Sequence, residues 1–152
     1  VCTERAPFIS KESYDELFMP SIARYAKVFV DAGIPVEMHC CGQCMDFIDG
    51  WVNAGITAWD PAQISNDILA VNKKYGKKLG IIGGWDSQGV CARPGVSDEM
   101  LLEEVERWCD TYLSQGMFGF AGSVMGTFGD PEVMRKNMMM TDHMREYSKK
   151  YL

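Results

Sequence analysis

Apolar residues recur along the chain at helical intervals, and between these stretches stand short apolar runs bounded by glycine. Tyr14, Leu17, Phe18, Ile22, Tyr25, Phe29 and Val30 share one helical face, with Ser10 as cap and Glu12 in the first turn. Pro20 should kink or divide this helix, and Gly33 should stop it. A strand is expected over 35–40. The next helix, over 43–54, places Met45, Ile48, Trp51 and Val52 on one face and ends at Gly55. Ile56 to Trp59 reads as a second strand, closed by Asp60-Pro61. A helix over 63–75, with Ile64, Ile68, Val71 and Tyr75 aligned, stops at Gly76, and a third strand over 79–82 runs into Gly83-Gly84-Trp85-Asp86.

The second half continues in the same way. After a loop over 87–97, Ser97 caps a helix that carries Leu101, Val105, Trp108 and Tyr112. Gly116 ends it, residues 117–121 form a fourth strand, and a glycine-containing loop spans 122–129. Asp130-Pro131 opens a last helix to about residue 150, proline being tolerated in a first helical turn. Helices alternating with short strands predict a parallel α/β sheet in a single domain, and the echo of A-G-I-P-V-E-M-H (32–39) in A-G-I-T-A-W-D-P (54–61) supports a repeated unit. Four such strands with outer helices amount to half of a TIM (β/α)₈ barrel, which needs about 250 residues. A bare half exposes two sheet edges, so the pattern calls for a second half-barrel, a homo-oligomer or a rearrangement.

Composition narrows the function. With 15 Lys+Arg against 21 Asp+Glu the net charge is −6, which disfavours a nucleic acid or an anionic membrane as partner. The 47% hydrophobic content contains no long uncharged run, so neither a membrane span nor a signal peptide is expected, and a cytoplasmic location is the default. The chain begins at Val1 in a segment that reads as the middle of something, which suggests a fragment or a processed product. Six cysteines, two of them adjacent, suit metal or redox use better than a disulfide framework.

In parallel α/β folds chemistry gathers at the carboxyl ends of the strands. There the sequence places His39, Cys40, Cys41 and Cys44 after the first strand, Asp60 after the second, and Trp85 and Asp86 after the third. His39 and Cys41 point the same way along a strand and Cys40 the other way, so His39 and Cys41 are the expected zinc ligands, with Cys44 as the nearest third. Cys41-Gly42-Gln43-Cys44 also spells the C-x-x-C of thiol redox sites. Asp60 and Asp86 are candidate acid–base or substrate-orienting groups, and Gly83 and Gly84 beside Trp85 would let a cofactor approach the backbone. The loop 122–129 lacks G-x-G-x-x-G and a Walker lysine. Cys109 and the methionines at 134, 138, 139, 140 and 144 read as core, and His143 as a packing or surface residue.

P-F-I-S-K-E-S-Y-D-E-L-F-M-P (7–20), G-I-P-V-E-M-H-C-C-G (33–42), A-G-I-T-A-W-D (54–60) and K-K-Y-G-K-K-L-G-I-I-G-G-W-D (73–86) together resemble the second half of the uroporphyrinogen decarboxylase superfamily. The resemblance implies the carboxyl-terminal half of a (β/α)₈ barrel. H-x-C-G after a strand is similar to the zinc-dependent cobamide methyltransferase branch. It implies that His39 and Cys41 hold zinc, which would activate a small-molecule thiol to take a methyl group from a corrinoid or a corrinoid protein. The family's further ligand cysteine, from the loop after the last strand, has no counterpart between Gly119 and Gly129, so Cys44 or Cys91 would have to substitute. The decarboxylases' G-H-G setting is replaced here by Ala121-Gly122-Ser123-Val124. A tetrapyrrole-binding protein without metal, a thiol redox protein and a non-catalytic barrel fragment are the alternatives.

Overall fold

The computed structural model describes residues 1–151. The first helical stretch is divided as Pro20 requires. Helix α1 (Lys11–Leu17) is capped by Ser10, whose side chain accepts from the Ser13 N–H, and α2 (Met19–Asp31) restarts after Phe18 with Pro20 in its first turn. Strand β1 (Glu37–His39) follows, then a 3₁₀ turn at Met45–Phe47 that leads into α3 (Ile48–Asn53). Strand β2 (Ala58–Ala62) extends past the expected stop at Asp60 and includes a cis Asp60–Pro61 bond. Pro61 has no N–H to give to the ladder, and the β2–β3 register shifts between Trp59 and Ala62.

Helix α4 (Ile68–Tyr75) begins five residues later than its apolar spacing suggests. Asp67 is its cap and accepts from the Ala70 N–H at 3.0 Å, while Ile64 lies before the helix and is exposed. Strand β3 (Gly80–Gly83), helix α5 (Asp98–Tyr112, capped by Ser97), the two-residue strand β4 (Phe118–Gly119) and helix α6 (Pro131–Tyr147, capped by Asp130) complete the order.

The four strands pair in parallel in the order β1-β2-β3-β4. Parallel neighbours in sequential order need crossovers of one hand, which bring the connecting helices to one face. Burial alternates accordingly. Trp59 and Ile81, register partners, are fully buried on the helix side, whereas Glu37 and His39 are exposed and Ala58, Asp60 and Ile82 half-buried on the other. The fold is thus a four-stranded parallel sheet flanked by helices, a partial, barrel-like α/β unit. Among the described residues no helix is long and apolar enough to cross a membrane.

The core lies between sheet and helices, and its tryptophans carry both volume and polar anchors. Trp51 donates to the Tyr14 hydroxyl at 2.9 Å, Trp59 to the Cys40 carbonyl at 3.1 Å, and Trp108 to the Gly83 carbonyl at 2.7 Å. Cys109 is fully buried, as its helical position implies. The methionine stripe of α6 divides: Met140 is fully buried, Met139 and Met144 pack against the core, and Met134 and Met138 face outward. His143 bonds Glu106 of α5 at 2.9 Å, a packing role. Met140→Ala should therefore cost about 2–5 kcal/mol of unfolding free energy in urea titration, whereas Met138→Ala should lie within about 0.5 kcal/mol of the parent.

Candidate thiol site at the strand ends

His39 and Asp60 are register partners on β1 and β2, so their side chains stand side by side on the open face of the sheet. His39 Nδ1 lies 3.3 Å from Asp60 Oδ2, and His39 Nε2 lies 3.6 Å from the Cys41 sulfur. Cys41 is exposed, as expected of the partner of His39 in strand alternation, and Cys40 turns into the core at 8% exposure. The result is a carboxylate–imidazole–thiol row. The His39 and Asp60 side chains keep 70% and 27% of their exposure, so their contact adds little stability, and its effect is to orient the ring.

The loop that presents Cys41 is built around Gly42 and Asn66. Gly42 adopts φ +89°, and a Cβ there would stand 2.6 Å from the Thr3 carbonyl oxygen. The Asn66 carboxamide is nearly buried and fully used. Its oxygen accepts from the Cys44 N–H at 2.9 Å, and its amide donates to the Gly42 and Gln63 carbonyls, each at 2.9 Å. The Gln63 side chain accepts from the Gly42 N–H, and the Gln43 N–H donates to the Thr3 carbonyl at 2.7 Å. Nothing in the apolar periodicity marked Asn66 or Gln63. The one cue is the N-D pair ahead of the helix, a capping signature that covers Asp67.

Cys44 is not beside His39 and Cys41. It is fully buried, and its thiol lies 4.0 Å from the Cys40 carbonyl oxygen. Cys91, the rival third ligand, bonds the Met100 carbonyl at 3.8 Å in the loop before α5. Among the described residues no group of three or more His, Cys, Asp or Glu side chains is placed to hold a metal ion. This overturns the expected zinc centre at His39, Cys41 and Cys44. The physical reason is the path of the chain after Cys41: Gly42 reverses it, and Asn66 pins Cys44 under the sheet end.

Asp86, Trp85, Gly83 and Gly84 lie one strand further on. Asp86 accepts from the Gln88 N–H at 3.0 Å and, with Glu4, Arg5, Gln63, Ser65 and Trp85, lines a cleft of about 320 Å³. Trp85 is largely buried, its ring edge-on to Phe120 and its N–H donated to the Ser123 carbonyl at 3.2 Å. The space beside Gly83 is filled by Ala62 backbone, and a Cβ on Gly84, at φ +76°, would stand 2.6 Å from the Tyr112 ring. These glycines thus bring backbone against protein: Gly84 N–H donates to the Ala62 carbonyl at 2.8 Å. Gln63 belongs both to this cleft and to the Cys41 loop, so the two adjoin.

Two more residues outside the sequence-based set hold the loops after β4 and before α5. Asn137 of α6 accepts from the Val124 N–H at 2.7 Å, and buried Lys136 donates to the Pro94 carbonyl at 2.9 Å and to the Val96 carbonyl.

No protein-family model matches this sequence, and no curated protein matches it. Together with the missing third ligand, this removes the support for zinc, for corrinoid methyl transfer and for a TIM-barrel identity.

Removing the Asn66 carboxamide orphans the Cys44 N–H and the Gly42 carbonyl. Asn66→Ala should lower stability by about 1–3 kcal/mol, and Cys44 should become open to alkylation in the native state, as read by mass spectrometry of iodoacetamide-treated protein.

Proposed function

We propose that the strand-end site is a metal-independent thiol site in which Cys41 is the nucleophile, His39 its base and Asp60 the group that orients the base. The row Cys41 Sγ, His39 Nε2 and Nδ1, Asp60 Oδ2, with gaps of 3.6 and 3.3 Å, carries this reading. A nucleophile within reach of a base that is itself held by a third group is the general pattern of an activated thiol. The reaction it suits is thiol–disulfide exchange with a small disulfide. Cys41 passes its proton to His39, and its sulfur attacks one sulfur of the substrate. The substrate S–S bond breaks as the Cys41 mixed disulfide forms, and the departing thiolate takes the proton from His39. The adjoining cleft offers both charge signs, in Glu4 and Arg5, and polar groups in Gln63, Ser65 and Gln88, a lining suited to a small zwitterionic disulfide. Cys41 and Cys44 do not serve as a C-x-x-C pair in this scheme, because Cys44 is held under the sheet end.

In stopped-flow reaction with an aromatic disulfide, Cys41 should be the first thiol to react, and Cys41→Ser should remove that phase. His39→Ala should slow the phase roughly tenfold or more, and Asp60→Asn should slow it by less. An unchanged rate in His39→Ala would sink the proposal.

The two free edges of the sheet favour a reading of the assembly as well. Beside β1, α2 exposes Tyr25, Val28 and Phe29 next to an apolar groove that includes Val36 and Met38. Beside β4, Met117 is exposed at a 460 Å³ hollow lined by Leu113, Phe118 and Met144. We infer that the unit pairs edge to edge with a second β/α unit, in the simplest case another copy of this chain, so that β4 of each lies against β1 of the other and eight strands close into a ring. Sedimentation equilibrium should then report twice the 17.1 kDa chain mass, and Val28→Lys should return it to the single mass. A parent chain that stays at the single mass at the highest attainable concentration refutes the pairing.

A further inference from the structure

The thiol that Cys41 lacks as a neighbour belongs to Cys40. Cys40 follows β1 with its N–H donated to the Asp60 carbonyl at 2.9 Å, and Cys44 enters the 3₁₀ turn with its N–H on Asn66. Gly42 turns the chain between them so that both side chains drop to the same side, under the sheet end. The Cys44 thiol lies 4.0 Å from the Cys40 carbonyl oxygen, and the Cys40 thiol 3.7 Å from the Cys41 carbonyl oxygen. Two buried thiols on one turn of the chain therefore lie apart from the exposed Cys41 row. The neighbouring Cys44 thiol pulls the Cys40 thiol well below the usual cysteine range, against the upward pull of its burial, and Cys44 is correspondingly pushed up by Cys40 and by burial.

We propose that Cys40 and Cys44 are a redox-active dithiol, a C-x-x-x-C pair that peroxide oxidises to an intrachain disulfide. The Cys40 thiolate attacks one peroxide oxygen, the O–O bond breaks, and Cys40 becomes a sulfenic acid while the other oxygen leaves as water once protonated. The Cys44 sulfur then attacks the Cys40 sulfur. The S–S bond forms, the S–O bond breaks, and the hydroxyl departs as a second water with the Cys44 proton. Two thiols are oxidised and one peroxide is reduced to two waters. Cys40 keeps 8% of its exposure and Cys44 none, which suits Cys40 to meet the oxidant and Cys44 to resolve.

The test uses the full chain carrying Cys41→Ser, so that its outcome does not depend on the Cys41 reading. After hydrogen peroxide, alkylation and tryptic digestion, the peptide spanning 28–73, which holds both Cys40 and Cys44, should lack two hydrogens and carry no alkyl group, and dithiothreitol should restore both alkylation sites. Adding Cys44→Ser should replace this product by one with added oxygen on Cys40. Two alkylatable thiols remaining in that peptide, or its cross-linking to the Cys2 peptide, overturns the assignment. The measurement in the Cys41→Ser chain decides this alone, because that substitution lies on the surface and leaves the core intact.

Discussion

A single buried carboxamide sets the geometry on which the strand-end chemistry depends. Asn66 sits between β2 and α4, and it ties Gly42 and Cys44 of one loop to Gln63 of another with three bonds of 2.9 Å. A buried amide held in this way costs its desolvation if any partner is lost, so the loop has one conformation and not several. That conformation sends Cys41 out toward His39 and Cys44 in toward Cys40. Two sulfur environments, one exposed beside an imidazole and one buried against the Cys40 backbone, follow from the same side chain.

The same method of construction recurs at the other strand ends. Indole N–H groups reach carbonyls there: Trp59 to Cys40, Trp108 to Gly83 and Trp85 to Ser123. Each ring fills core volume with its body and satisfies a loop carbonyl with its edge. On α6, Lys136 and Asn137 do the equivalent for the loops before α5 and after β4. The loops at the mouth are short of regular structure, yet their backbone groups are held by side chains anchored in helices and sheet.

The alternation of helices and strands was legible because its signals are local. Glycine and proline mark the ends of elements, Ser10, Ser97 and Asp130 mark three starts, and apolar spacing names the buried faces. Strand alternation also separated Cys40 from His39 and Cys41 correctly. The late start of α4 escaped, because Ile64 continues the apolar period while Asp67 supplies the cap and Asn66 is taken by a distant loop. The placement of Cys44 escaped for the same reason. A spacing of three residues from Cys41 suits a shared ligand set only if the chain continues as a helix, and a glycine with positive φ followed by a long-range amide bond sends it elsewhere. Gly83 and Gly84 show a related limit, since the sequence reveals a need for close approach without revealing that the approaching groups are Ala62 and Tyr112.

The one-sided covering of the sheet also constrains how the chain can diverge. Along β2, Trp59 and Ala62 face helices and have no room for a polar or larger side chain, whereas Ala58 and Asp60 lie on the open side. Neighbouring positions in one strand thus carry different physical constraints, the covered ones of volume and the uncovered ones of whatever chemistry or contact the open face serves. His39 and Asp60 occupy uncovered positions. A thiol site of this kind can therefore be gained, altered or lost by a few substitutions while the packing beneath it persists unchanged.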